Sequence, residues 1–133
     1  MARQAQTTIP IFAYRDILAA HDYLVGVFGF LSAEVERASS GGVIHAEVRT
    51  AGGDRIWLHR DDPEHGMAAP GDGRNASGGV VVIVDDVDAH YERARAAGAH
   101  IDYPPTDQDY GLREYGARDS EGGLWYFASW LET

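Results

Sequence analysis

The sequence predicts an α+β fold made of two βαβββ modules that form a curved mixed sheet with a cleft. Three observations carry that prediction. Asp16, Ala20, His21 and Gly29 recur at one offset as Asp85, Ala89, His90 and Gly98. Each set sits between an apolar run and a series of alternating, strand-like segments. The 133 residues suffice for one domain with a core of its own. The repeat therefore reads as two half-modules, at about residues 7–60 and 78–131, inside a single domain spanning 1–133.

Taken in order, Ile9 to Tyr14 is a strand. Asp16 to Phe28 is a helix with Ile17, Leu24 and Phe28 on one stripe, Asp16 as its N-cap and Gly29 as its stop. Phe30 to Ala38 and Val43 to Thr50 alternate as strands around a Gly41-Gly42 turn. Gly52-Gly53-Asp54 then turns the chain into the strand Arg55 to Arg60. Asp61 to Ser77 breaks the pattern with Pro63, Gly66, Pro70, Gly71 and Gly73, a long loop at the join of the halves. The second copy runs through the apolar strand Gly79 to Val84, the helix Asp86 to Ala97, and Gly98 as its stop. His100 to Tyr103 is a short strand ended by Pro104-Pro105, and a polar loop runs on to Asp109. Leu112 to Arg118 and Leu124 to Trp130 close the order. Helices on one face of such a sheet leave the other face free to line a cleft.

Composition narrows the chemistry. There is no cysteine, which excludes disulfides, thiolate metal sites and a cysteine nucleophile. All 11 basic residues are arginine, so neither a lysine Schiff base nor a phosphate-loop lysine exists. A net charge of −10 opposes nucleic-acid binding and favours a cationic ligand over an anionic one. With no apolar run near about 18 residues and a polar start, neither a membrane span nor a signal peptide is expected, and the expected compartment is the cytoplasm. No Ser-His-Asp set and no phosphate-loop pattern is readable.

Alternation splits each strand into two faces. Arg55, Trp57 and His59 share one face of their strand; Ile56 and Leu58 share the other. Tyr126 lies with Leu124 and Ala128, opposite Trp125 and Phe127. The repeat offset matches Trp57 with Tyr126, which places one large aromatic at equivalent points of each half. Such rings either stack a flat ligand or fill a closed core. His59 is a rim histidine or a hydrogen-bonding ligand contact. His45 and Glu47, on the preceding strand, would form a relocated metal site with His59 if all three faced one way. Arg113 has the planar fork that grips carboxylate or phosphate, and equally serves a surface ion pair. His21 and His90 at matching positions suggest a shared structural role. The acidic loops, with Asp61, Asp62, Glu64 and Asp72 in one and Asp102, Asp107 and Asp109 by the other, are solvated charge or a steering field for a cation.

The C-terminal run Tyr110-Gly111-Leu112-Arg113-Glu114-Tyr115, then Arg118-Asp119-Ser120-Glu121-Gly122, then Trp125-Tyr126-Phe127, resembles the strand–turn–strand ending of the glyoxalase I / bleomycin-resistance / extradiol dioxygenase superfamily, also called vicinal oxygen chelate. Ser120 stands where the family often has proline. Asp16 to Gly29 is similar to the family's first strand-to-helix passage. The resemblance implies the vicinal oxygen chelate fold and, for the family's enzymes, a divalent metal held by His, Gln or Glu from four cleft strands. Those positions fall on Ile9, Trp57, Gly79 (or Gly78) and Tyr126, and none is an ordinary metal ligand.

The resemblance then implies the family's metal-free, drug-binding subgroup: small acidic homodimers whose clefts grip planar aromatic molecules. The expected function is metal-independent binding and sequestration of a small, largely aromatic molecule, with antibiotic resistance as its setting. The expected ligand contacts are Trp57, His59, Tyr110, Arg113, Tyr115 and Tyr126. No catalytic residue, metal ligand or cofactor is assigned, and nucleic acid and membrane are not expected partners. The alternative is a metal-dependent isomerase, lyase or dioxygenase of the same superfamily with displaced ligands.

Overall fold

The computed structural model describes residue 6, residues 8–69 and residues 77–132. The stretch of the central loop that carries Pro70, Gly71, Asp72 and Gly73 lies outside the described residues. The first half comprises strand β1 (Ile11–Tyr14), helix α1 (Ile17–Gly26), β2 (Leu31–Arg37), β3 (Val43–Arg49) and β4 (Arg55–Arg60). The second comprises β5 (Gly79–Ile83), α2 (Val87–Ala96), β6 (His100–Asp107), β7 (Leu112–Arg118) and β8 (Leu124–Trp130). Each half folds into its own four-stranded mixed sheet, in the orders β1-β4-β3-β2 and β5-β8-β7-β6. In both, the first strand lies parallel to the last and the remaining pairs are antiparallel. The expected α+β architecture of two βαβββ modules is thus present. Among the described residues no helix is long and apolar enough to cross a membrane.

Asp16 and Asp86 cap the two helices, accepting from the Ala19 amide at 3.0 Å and the Ala89 amide at 3.1 Å. This corrects the repeat alignment, which had matched Asp16 with Asp85. His21 stands five residues after its cap and His90 four after its own. One residue turns a helix by about 100°, so the two histidines point differently and find different partners. His21 lies between the Asp22 carboxylate (Nδ1, 2.9 Å) and the Ser32 hydroxyl (Nε2, 2.7 Å). His90 reaches the Tyr115 hydroxyl (Nδ1, 2.6 Å) and the Phe28 carbonyl (Nε2, 2.9 Å). A carbonyl only accepts, so Nε2 of His90 carries the proton and Nδ1 accepts from Tyr115.

The second correction concerns β6. Its expected stop at Pro104-Pro105 does not occur, and the strand continues to Asp107. β6 is an edge strand with register shifts on either side of Tyr103, where a missing amide costs no central ladder bond.

The core lies between the halves. Ile56, Leu58, Ala46 and Val48 from the first half and Tyr115, Ala117, Trp125 and Phe127 from the second are buried beneath the helices. Phe28 meets Phe127 edge-on at 4.9 Å between ring centroids, and Phe30 meets Trp125 at 5.4 Å. The turn after β7 clasps the first half. Asp119 accepts from the Tyr14 hydroxyl (2.5 Å), the Trp125 indole (2.9 Å) and the amides of Gly123 (2.8 Å) and Glu121 (3.0 Å). Glu121 accepts from the amides of Arg15 (2.9 Å) and Asp16 (2.8 Å) at the start of α1. The segment that carries the family resemblance is therefore a structural clasp.

Burial pushes the His90 imidazole below its ordinary value, and the Phe28 carbonyl opposes this only in part. The unfolded chain takes up a proton near pH 6.5, whereas the folded chain resists it. The neutral ring thus contributes stability above that pH, and the contribution is lost as pH falls through the lower, folded value. Melting temperature is expected to fall between pH 7 and pH 5.5. His90→Gln is expected to flatten that part of the profile in a pH series of thermal melts.

Candidate functional site

The faces turned away from the helices carry the candidate site. In the first sheet, strand register places Glu34, Glu47, Trp57 and Ile11 side by side across four strands, and Glu36, His45, His59 and Ala13 in the next row. In the second sheet the corresponding rows are Tyr103, Gly116, Tyr126 and Val81, then Thr106, Glu114, Ala128 and Ile83. Trp57 and Tyr126 are half-buried, while Ile11, Val81 and Ile83 are exposed apolar side chains beside them.

On the first face, Glu47 is 8% exposed and organises its neighbours. Its carboxylate accepts from the Trp57 indole at 2.9 Å and from the Arg49 guanidinium at 2.8 Å. Burial pushes the Glu47 carboxyl up. The hydrogen bonds from Arg49 and Trp57, with the charges of Arg49 and Arg55, outweigh it and hold the group below its usual range. The Trp57 ring is therefore locked in orientation beside a neutralised carboxylate. His45 meets its edge at 5.6 Å between centroids. His59 Nδ1 donates to the Arg60 carbonyl at 2.8 Å, which leaves Nε2 as an acceptor. An open hollow beside Trp57 is lined by Glu36, Ile44, His45, His59 and Arg60.

On the second face the carboxylate is Glu114, 5% exposed. The Tyr103 hydroxyl donates to it, and the Tyr110 hydroxyl lies 2.9 and 3.0 Å from its two oxygens. Gly116 makes room for this arrangement. A Cβ there would lie 2.5 Å from the Tyr103 ring, so the ring rests directly on the backbone between β6 and β8.

Of the six residues expected to contact a ligand, the structure brings Trp57 and His59 together on one face and Tyr110 and Tyr126 on the other. Tyr115 lies behind the second sheet, fully buried against His90 and Phe127. Arg113 is also on the helix side, with Nη2 3.0 Å from Asp88 and Nη1 3.0 Å from Asp107. Sequence reading missed Tyr103 and Glu114. The available signal was parity, because Glu114 falls on the opposite face of β7 from Arg113 and Tyr115. His21, Asp22 and Ser32 form a Ser-His-Asp line that the sequence did not disclose, in which the histidine ties α1 to β2.

The residues at the inherited metal positions do not fit a divalent cation. Ile9 precedes β1, and Trp57 and Tyr126 present rings. A Cβ at Gly79 would lie 2.7 Å from the Leu124 carbonyl, so that position has no space for a ligating side chain. His45, Glu47 and His59 do share one face, but the Glu47 oxygens are taken by Arg49 and Trp57. Among the described residues no group of three His, Cys, Asp or Glu side chains converges to hold a metal ion.

A further cavity of about 440 Å³ opens where the halves join, lined by Phe12, Tyr14, Leu124 and Trp125 with Asp119 at its polar end.

Comparison with known proteins places these features. No curated protein matches the chain. Among solved structures, TioX from Micromonospora sp. ML1 is similar at 35% identity and a TM-score of 0.76, over 96% of this chain and 100% of that one. TnmS3, an antibiotic binding protein from Streptomyces sp. CB03234, shares the fold at 22% identity and a TM-score of 0.73, over 96% and 99% of the two chains. A glyoxalase/bleomycin resistance protein from the same Streptomyces strain does so at 23% and 0.70, over 90% and 96%. The family model matches residues 6–127, and the chain belongs to the Glyoxalase/Bleomycin resistance protein/Dioxygenase superfamily.

Proposed function

We propose that the chain binds a small, largely aromatic molecule without a metal and acts by holding it, with protection against an antibiotic as the role. The observation that carries this reading is the pair of aligned rows across the helix-free faces. Each places a half-buried aromatic, Trp57 or Tyr126, beside an exposed aliphatic, Ile11 or Val81. Flat apolar surface with a few fixed polar groups is how ligand sites are commonly lined. Holding a ligand needs only tight stoichiometric binding and no stabilised transition state. The fold shared with TnmS3, an antibiotic binding protein, is in keeping with the reading.

The acting form in this proposal is a cytoplasmic homodimer. In one chain the two faces look away from the shared aromatic core, so Trp57 and Tyr126 wall separate surfaces. A second copy would oppose the first face of one chain to the second face of the other and cover Ile11, Val81 and Ile83. His59 and Tyr110 would then stand at the rim. Sedimentation at micromolar concentration is expected to give about twice the 14.5 kDa chain mass; a monomer mass would remove the shared cleft. Binding itself is tested by titrating a panel of aromatic antibiotics and following tryptophan fluorescence. A saturable change with a Kd well below millimolar is expected, and a panel with no binder tighter than millimolar would defeat the proposal.

A further inference from the structure

The two helix-free faces differ in what surrounds their buried carboxylate, although they occupy equivalent places in the repeat. On the first face Arg49 neutralises Glu47, the Trp57 N–H is already committed to that carboxylate, and the remaining carboxylates, Glu34 and Glu36, stand exposed on the edge strand β2. On the second, the groups that meet Glu114 are the hydroxyls of Tyr103 and Tyr110, and among the described residues its ion pairs include no arginine or histidine. Both tyrosine protons point at the carboxylate. What remain outward are phenolic lone pairs and the rings of Tyr103, Tyr110 and Tyr126, with the Glu114 carboxylate directly beneath the two hydroxyls. Every one of these attracts a cation or a hydrogen-bond donor and repels an acceptor. Burial and then the hydrogen bond to Glu114 raise the Tyr103 hydroxyl, and the hydrogen bond to Glu114 raises the Tyr110 hydroxyl, above the ordinary tyrosine value.

We infer that the second face is a subsite for an organic ammonium group, with Glu114 as the counter-charge and Tyr103, Tyr110 and Tyr126 as the aromatic walls. The inference rests on the proposed role of these faces in holding an aromatic ligand, and it names the chemistry of that ligand's polar end. The Trp57 ring, whose buried carboxylate is paired with Arg49, takes the flat part, and the tyrosine–carboxylate face takes the charged nitrogen. Gly116 belongs to the subsite because its missing side chain seats the Tyr103 ring.

The test uses three probes with one ring system: 1-naphthylmethylammonium, 1-naphthalenemethanol and 1-naphthylacetate, titrated calorimetrically at neutral pH and two salt concentrations. The ammonium probe is expected to bind about ten-fold tighter than the alcohol, with the acetate weakest. Glu114→Gln is expected to bring the ammonium probe to within about two-fold of the alcohol measured on the same variant. Tyr110→Ala alters an exposed rim residue, so folding is preserved, and is expected to weaken the ammonium probe several-fold more than the alcohol. Equal binding of ammonium and alcohol to the native chain would overturn the subsite and leave the aromatic-binding reading standing. A preference that survives Glu114→Gln and fades with salt would also overturn it, because net charge alone would then be the cause. If none of the three probes binds at millimolar concentration, the subsite and the reading beneath it both fall.

Discussion

Asp119→Ala is expected to lower the unfolding free energy by about 3 kcal/mol or more. Asp119 is 5% exposed and accepts from two buried side chains, the Tyr14 hydroxyl and the Trp125 indole, besides two turn amides. Removing the acceptor leaves two buried donors without partners, at about 1–3 kcal/mol each. Tyr14 belongs to the first half and Trp125 to the second, so the loss falls on the seam that joins them. For a chain of this length the melting temperature should drop by about 10 °C or more. Gly123→Ala should act in the same direction, since a Cβ there would collide with the Asp119 carboxylate. Thermal melts followed by circular dichroism check both. A change under about 1 kcal/mol for Asp119→Ala would mean that the Asp119 hydrogen bonds do not hold the seam between the halves.

The second large effect is on binding. Trp57→Ala is expected to weaken an aromatic ligand at least about ten-fold, or about 1.4 kcal/mol, with little change in melting temperature because the ring is only half-buried. The replacement removes a flat surface whose orientation Glu47 fixes through the indole N–H. Trp57→Phe keeps a ring but loses that hydrogen bond, and is expected to fall between the two. The fluorescence response to ligand should also shrink in both variants, since Trp125 is buried in the core and Trp130 is exposed at the end of β8. Native affinity in Trp57→Ala would place the ligand elsewhere, with the cavity at the join of the halves as the next place to look.

Much of the fold was legible in the sequence because alternation and helix stops are local signals. The period-two pattern of Arg55 to Arg60 placed Trp57 opposite Ile56 and Leu58, and the sheet bears this out. β4, β7 and β8 begin and end where the residues suggested. What failed needed information from outside the segment. Pro104 and Pro105 read as a stop, yet an edge strand tolerates them, and edge position is set by the topology. The repeat pairs Asp16 with Asp85 while the helix itself reads as starting at Asp86, and the capping hydrogen bond decides for Asp86. The candidate site was partly legible for the same reason. Trp57 and Tyr126 follow from strand parity, but the pairing of Tyr103 with Glu114 depends on register shifts within β6. Arg113 and Tyr115 entered through the motif that contains them. Parity within β7 puts them on the helix side, where they serve an ion pair and the core.

The central claim is that the helix-free faces hold an intact aromatic molecule with no metal between. The most direct measurement is calorimetric titration of an identified ligand before and after exhaustive chelation, with mass spectrometry of the recovered ligand. The same Kd is expected in both titrations, with the ligand recovered chemically unchanged. Stoichiometric metal in the untreated protein, with affinity lost on chelation or a converted product recovered, would contradict it.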